Sequence, residues 1–190
     1  MSGMTLTIVP ATPERWEDLV GLFGERGDPA RCWCMFFRRW NDGLRDPAAN
    51  REALREIVAA GREPGLLAYN QAGEAVGWVS VAPREEFLAR LERSRRYRPV
   101  PGEGIWSVLC FVVKVGHRRQ GIASALLDAA VQFAREHGAA AVDGHPVDTA
   151  GARTSGAAIY TGVSSMFESA GFTLLDRRGT HPVYRLSLDG

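Results

Sequence analysis

Apolar positions along the chain switch repeatedly between a spacing near two and a spacing near 3.6 residues, and the order of those switches predicts a mixed fold. Residues 6–9 alternate as a short strand, after which Thr12 and Pro13 read as the N-cap and first position of a helix carrying Trp16, Leu19, Val20 and Phe23. Residues 24–47 are rich in turn formers yet full of aromatics, so this irregular stretch is expected to pack over something rather than to be solvated. A helix over 47–60, with Leu54, Ile57 and Val58 inward, ends at Gly61. Strands at 66–69 and 75–82 form a hairpin turning at 70–74, where Gly73 supplies a positive φ. The spacing of Phe87, Leu88 and Leu91 then predicts a helix over 84–96, its charged residues forming a solvated face.

The run IWSVLCFVVKV, residues 105–115, hardly alternates, which is the pattern of a strand buried on both faces and so of the sheet centre. A helix over 122–137 places Ile122, Ala125, Leu126, Ala129, Ala130 and Phe133 on one stripe, with Gly138 as its stop. Residues 140–145 read as a fifth strand, 160–170 as a helix stopped by Gly171, and 172–176 and 183–188 as a closing pair. The fold class expected is α/β (mixed α+β), with strands before and after a central strand, helix, strand unit.

Composition narrows the function. At 190 residues the chain is expected to be a single domain, 1–190. With 23 basic and 22 acidic residues the net charge is +1, so nothing in the overall charge asks for nucleic acid or an anionic membrane, and any anion site must be local. No apolar run approaches the roughly 20 residues that span a bilayer, and the polar start lacks the centre of a signal peptide; a soluble cytoplasmic protein is expected. Cys32, Cys34 and Cys110 are too few for a disulfide scaffold or a supported zinc site, so no metal is expected. The pair in CWCMFF reads as core packing, with a pocket lining as the alternative.

Directly after the central strand stands HRRQGIASALL, His117 to Leu127. A helix start leaves backbone N–H groups unpaired and carries partial positive charge, Gly121 lets a ligand approach the backbone, and small Ala123 and Ser124 leave room. The pattern points to an anion. GIASAL lacks the Gly-Lys-Ser/Thr ending of a Walker A loop, and no G-x-G-x-x-G is present for a dinucleotide.

Arg118-Arg119-Gln120-Gly121-Ile122-Ala123 resembles the Q/R-x-x-G-x-G/A signature of the GCN5-related N-acetyltransferases, and MFESAGF, Met166 to Phe172, resembles that family's helix ending in L-Y-x-x-x-G-F. The resemblance frames residues 107–172 and implies a central mixed, mostly antiparallel sheet flanked by helices. It implies that the loop residues Arg118, Arg119, Gln120, Gly121, Ile122, Ala123 and Ser124 hold the pyrophosphate of acetyl-coenzyme A. The central strand, at Phe111, Val113 and Val115, would then bond the pantetheine arm with its backbone, with Phe167 packing against the coenzyme. The thioester carbonyl is expected to be polarised by a central-strand N–H, that of Val113.

Two positions depart from the family. Phe167 stands where many members have a proton-donating tyrosine, so Tyr160, Ser164 or Ser165 is left to assist the leaving thiolate, which itself needs little help. Ser107 stands where some members carry a glutamate. The base that frees the acceptor amine is therefore sought at Asp143 and His145, with Glu103 and Asp148 behind them; an exposed strand end explains the first two equally well. The expected reaction is acetyl transfer to a primary amine by direct attack in a ternary complex, with Cys110 leaving a covalent route open. Expected partners are a small-molecule or protein amine acceptor, with a homodimer as a further option; fold does not choose among acceptors. The alternative is a non-catalytic acyl-coenzyme A sensor or scaffold module.

Overall fold

The computed structural model describes residues 5–39, 46–150 and 160–188. Its strands are β1 (Thr7–Pro10), β2 (Gly65–Tyr69), β3 (Ala75–Pro83), β4 (Ile105–Val113), β5 (Ala141–Gly144), β6 (Thr173–Asp176) and β7 (Val183–Ser187). They form one sheet in the order β1-β2-β3-β4-β5-β7-β6, in which β4 and β5 are parallel and every other neighbouring pair antiparallel. The mixed, mostly antiparallel sheet is the expected class, and the unalternating run at the middle of the chain is indeed its central strand.

Strand periodicity sorts the core into two faces. Leu66, Ala68, Val79, Val108 and Phe111 face helix α5 (Ile122–Glu136), whose Ile122, Leu126, Leu127, Ala130 and Phe133 cover them. Leu67 and Trp78 face the other way, onto α1 (Trp16–Phe23) and α3 (Pro47–Ala59). Helix α3 starts where the sequence favours it, because the Asp46 carboxylate accepts from the Ala48 and Ala49 amides and Pro47 holds the first position. In the aromatic-rich stretch before it, residues Asp28–Cys32 form a short helix, α2, and Trp33, Cys34 and Met35 are buried in the same face as Trp78. That stretch does pack over the sheet.

Two expected helices are shorter in the structure. In place of a helix over 84–96 there is a 3-10 turn, Arg84–Phe87, followed by a single α turn, α4 (Leu88–Leu91). Arg84 points inward to the Val100 and Gly102 carbonyls, and Tyr97 is 3 % exposed within an aromatic cluster, so long-range partners override the local helical spacing. Likewise α6 spans Ser164–Ser169 and not 160–170. Tyr160 and Thr161 instead form a turn that leads to an extended Val163: Val163 bridges Val147, the Val147 amide donates to the Gly162 carbonyl at 2.9 Å, and the Phe111 amide donates to the Tyr160 carbonyl at 2.7 Å.

Helix α6 is held by one close fit. The Phe167 ring lies against the bare backbone of Gly144 on β5, where an added Cβ would stand 2.0 Å from a ring carbon. Gly144→Ala is therefore expected to cost about 2 kcal/mol by overpacking, measured by denaturant unfolding, and the loss should shrink in the Gly144→Ala/Phe167→Leu double variant. Equal losses with and without Phe167 would show that the contact does not set the fit.

Candidate active site

Strand β4 pairs with β5 only from Ile105 to Val108, whereas it continues beside β3 to Val113. A bulge at Leu109, between the Ser80–Cys110 and Val81–Val108 pairs, lies where the parallel pairing stops. Beyond it the two strands diverge and one edge of β4 is released. The Lys114 amide donates to Val76 on the β3 side, so alternation turns the amides of Phe111 and Val113 toward the gap. Residues 160–163 lie in that gap, bonded to Phe111 on one side and Val147 on the other. Tyr160 is thus a backbone wedge beside the strand edge on which a pantetheine arm was expected.

The same strand leads into the anion loop. After β4 the His117 amide closes a turn onto the Lys114 carbonyl, and Lys114 and His117 both face Glu74 of the β2–β3 turn. The loop's remaining cations are Arg118 and Arg119, both exposed. Arg118 donates from Nε to the Val113 carbonyl at 3.3 Å, Gln120 donates to the Gly116 carbonyl at 3.1 Å, and Arg119 adopts φ +61°. Gly121 is the N-cap of α5 at φ +80°, ψ 0°, and an added Cβ there would meet no protein atom within 4 Å. The first helical bond is Ala125 N–H to the Gly121 carbonyl, so the amides of Ile122, Ala123 and Ser124 precede the helical ladder. Ile122 is buried and fits against β3 at Gly77, where a side chain would clash with it, which fixes the helix start relative to the sheet. Gly121 to Ser124 therefore form an open N-terminal cradle at the foot of a 15-residue helix. Val115, expected along the coenzyme arm, is 79 % exposed beside this loop.

The catalytic candidates are not in one environment. Asp143 is fully buried and clamped: Arg185 donates from Nε to Oδ1 at 2.6 Å and from Nη2 to Oδ2 at 2.9 Å, while Arg84 Nη1 lies 3.4 Å from Oδ2. Arg185 is directly opposite Asp143 in the β5–β7 register, and its own proton is held more tightly by that carboxylate. Both arginines also bind carbonyls of residues 100–102, so the cluster ties that loop to the sheet.

His145, two residues on, is fully buried with no partner for either ring nitrogen among the described residues, and Tyr97 meets it edge to face at 5.9 Å. Burial, and then the charges of Arg178, Arg84 and His181, push its pKa down to about 3. A histidine that stays neutral in the fold but charges in the unfolded chain near 6.5 lets the unfolded state bind more protons between those values, so stability falls as pH drops below about 6.5. The expected slope approaches about 1.4 kcal/mol per pH unit. Thermal unfolding of the protein and of His145→Gln between pH 7 and 5.5 measures it; parallel curves would show that His145 is not held neutral.

Tyr160 shares a 3.0 Å hydrogen bond between hydroxyls with Tyr97, and burial together with that bond raises its pKa. Ser165 is exposed in the first turn of α6, and its carbonyl accepts from the Ser169 hydroxyl. Phe167 is enclosed by Phe111, Phe172, Tyr184 and the backbone of Gly144, a wall beneath the gap with no exposed edge. Ser107 is buried at the register position opposite Asp143, its hydroxyl unpartnered among the described residues. Glu103 is exposed, and Asp148 stands 3.9 Å from Arg177. Cys34 accepts from Trp78 Nε1 at 3.1 Å and lies 3.2 Å from the Cys110 sulfur, with both thiols reduced. The contact with Cys34, and then burial, raises the Cys110 pKa well above the ordinary thiol range. Of the expected acceptor loop 146–157, residues 151–157 lie outside the described residues.

Sequence reasoning missed Arg84, Arg185 and Tyr97. Arg84 sat in a segment that spacing assigned to a helix with a solvated charged face, Tyr97 lay just past that segment, and Arg185 gains meaning only from a strand pairing 42 residues apart.

Among the described residues no helix is long and apolar enough to cross a membrane, and no group of three or more His, Cys, Asp or Glu side chains is arranged to hold a metal ion. The family model of the acetyltransferase (GNAT) family matches residues 30–150. No curated protein matches. Among solved structures, a GCN5-related N-acetyltransferase from Kribbella flavida is similar at TM-score 0.57 and 18 % identity, covering 96 % of this chain and 98 % of that one. The GNAT domain of S. lividans PAT is similar at TM-score 0.57 and 19 % identity, covering 95 % and 89 %. A PaiA N-acetyltransferase from Thermoplasma acidophilum, solved in complex with coenzyme A, is similar at TM-score 0.55 and 14 % identity, covering 97 % and 99 %.

Proposed function

Since the chain belongs to the acetyltransferase (GNAT) family, we propose that it transfers an acetyl group from acetyl-coenzyme A to a primary amine by direct attack in a ternary complex. The observation that carries this reading is the open Gly121 cradle at the end of a strand whose neighbouring edge is released. The amides of Ile122, Ala123 and Ser124 bind the pyrophosphate, with Arg118 and Arg119 supplying charge. The pantetheine arm then runs back along β4, and the Val113 amide polarises the thioester carbonyl. Phe111 joins that set only when the Tyr160 carbonyl gives up its amide.

The amine nitrogen attacks the thioester carbonyl carbon, a C–N bond forms, the C–S bond breaks, and coenzyme A leaves as thiolate. The nitrogen's surplus proton passes to solvent water, because His145, fully buried with its pKa pushed down to about 3, is too weak a base to take it. Asp143 holds Arg84 and Arg185 and acts as a positioning residue. Tyr160 is a weaker acid than the thiol that forms, so it donates a hydrogen bond rather than a proton. Ser165 and Phe167 take no chemical step. A half-buried Cys110 with a raised pKa disfavours an acyl-cysteine intermediate, which supports direct transfer.

Turnover tests the reading. Purified protein with acetyl-coenzyme A and a panel of primary amines is expected to release free thiol and N-acetyl product in equal amounts, with no acetyl-enzyme detected by mass spectrometry when the amine is left out. Coenzyme binding with no thiol release for any amine would favour a non-catalytic acyl-coenzyme A sensor.

A further inference from the structure

Two cysteines far apart in the chain meet beneath the aromatic stretch. Cys34, just after α2, and Cys110, on β4, are separated by 76 positions, yet the Cys34 thiol donates to the Cys110 sulfur at 3.2 Å. From its other side Cys34 is held by Trp78, a fully buried side chain whose Nε1 donates to the Cys34 sulfur at 3.1 Å. Cys110 stands at the β4 bulge, opposite Ser80 in the β3 register, and keeps partial exposure. The backbone that carries Cys34 there is strained: Trp33 and Cys34, at φ +48° and +52°, are consecutive non-glycine residues in the left-handed region. Strain of that kind persists only where the surroundings over-determine it. Here Trp33 packs against Trp16 and Phe23 and lies under the Arg51 guanidinium, which holds the turn in place.

Neither sulfur takes a step in acetyl transfer, and among the described residues no group of three or more ligating side chains gathers them around a metal. What the contact does prepare is a reaction of the thiols with each other. A disulfide sets its sulfurs about 2.05 Å apart, so an approach of roughly 1 Å from the present contact closes one. Outside permanently oxidising surroundings, thiol pairs that can close in this way are usually transient and redox-sensing rather than structural.

We infer that Cys34 and Cys110 are a redox-responsive pair, which hydrogen peroxide closes into a disulfide that ties the stretch 33–37 to the central strand. Peroxide passes one oxygen to one sulfur, giving a sulfenic acid, and leaves as water. The other sulfur attacks that sulfur, an S–S bond forms, the S–O bond breaks, and the departing hydroxyl takes the attacking thiol's proton to become a second water. The two thiols are oxidised by two electrons and the peroxide is reduced. The bond lies one residue before Phe111 and two before Phe36, whose ring packs with that of Phe37 against Tyr160. It therefore clamps the wall that stands beside the released edge of β4. The clamp does not depend on the acetyltransferase reading, and it is tested without coenzyme or acceptor.

The reduced, folded protein is treated with hydrogen peroxide at mildly alkaline pH, where more of the Cys110 thiol, its pKa raised by the contact with Cys34, is ionised. Peptide mapping by mass spectrometry of the untreated, oxidised and dithiothreitol-treated wild type locates any bond without a variant. A Cys34–Cys110 disulfide is expected, with Cys32 outside it and dithiothreitol restoring both thiols. The melting temperature of the oxidised form is expected to rise by roughly 5–10 °C, because the bond closes a loop of 76 positions in the unfolded chain. Cys32→Ser should keep the bond and the rise, while Cys34→Ser and Cys110→Ser should lose both. A bond through Cys32, a link between two chains, or Cys34 and Cys110 left unjoined in the wild type would overturn the pair. A Cys34–Cys110 bond whose oxidised form melts no higher than the reduced one would overturn the clamp.

Discussion

Asp143→Ala is expected to destabilise the protein by about 3–5 kcal/mol, the cost of removing one partner from a buried ion cluster. The carboxylate is fully buried and takes three contacts from two guanidinium groups, Arg84 and Arg185, that are themselves largely enclosed. Without it two positive charges stay beside the sheet with only the carbonyls of residues 100–102 to receive them. Asp143→Asn keeps the shape and removes the charge, so it should lose a similar amount, whereas Asp143→Asn/Arg185→Gln should recover part of the loss by removing one stranded cation. Urea unfolding of the wild type, Asp143→Asn, Arg185→Gln and Asp143→Asn/Arg185→Gln measures the coupling. The cluster also distinguishes two roles for Asp143. A general base lost by the asparagine change would reduce turnover at unchanged stability; a positioning residue loses stability first and recovers turnover with it in the double variant.

Gly121→Val is expected to weaken acetyl-coenzyme A binding about 100-fold or more, equivalent to losing two charge-assisted hydrogen bonds, while the protein stays folded. Gly121 has φ +80° and faces open space, so a side chain there meets no protein atom and occupies the ground a pyrophosphate needs. Positive φ has a cost of its own, which a control separates: Gly138, just past the opposite end of α5 at φ +77°, is equally open. Gly138→Val should lose comparable stability and keep its coenzyme affinity. Equal affinity in both variants would remove the anion from Gly121.

The parts of the fold that were legible from the chain are those set by local chemistry. The first nine residues of the unalternating 105–115 run, Ile105–Val113, became the central strand, and Gly121 became a left-handed N-cap to α5 because only a glycine enters that conformation without strain. Likewise Leu54, Ile57 and Val58, with Gly61 as the stop, announced α3. What was not legible depends on partners far away. Arg84 turns inward to meet Asp143, 59 residues on, so the helical spacing of 84–96 was outvoted by a buried charge. Tyr160 stays outside α6 because the released edge of β4 offers an amide, 49 residues earlier, that helix formation would leave unpaired.

The candidate site divides along the same line. The pyrophosphate cradle is a single loop and could be read directly. Asp143 and His145 were expected on one strand and looked equivalent, yet β5 ends at Gly144, and the fold gives Asp143 two arginines and leaves the ring nitrogens of His145 without a partner among the described residues. That difference comes from β7 and from the segment around Tyr97, neither of which any local pattern connects to β5.

The most direct test of the account is calorimetric titration of the purified protein with acetyl-coenzyme A, with desulfo-coenzyme A and ATP as comparisons. Binding of acetyl-coenzyme A in the micromolar range, about −8 kcal/mol, with ATP much weaker and Gly121→Val abolishing the signal, is the expected result. No binding, or equal binding of ATP, would contradict the assignment of the Gly121 cradle to a coenzyme A pyrophosphate.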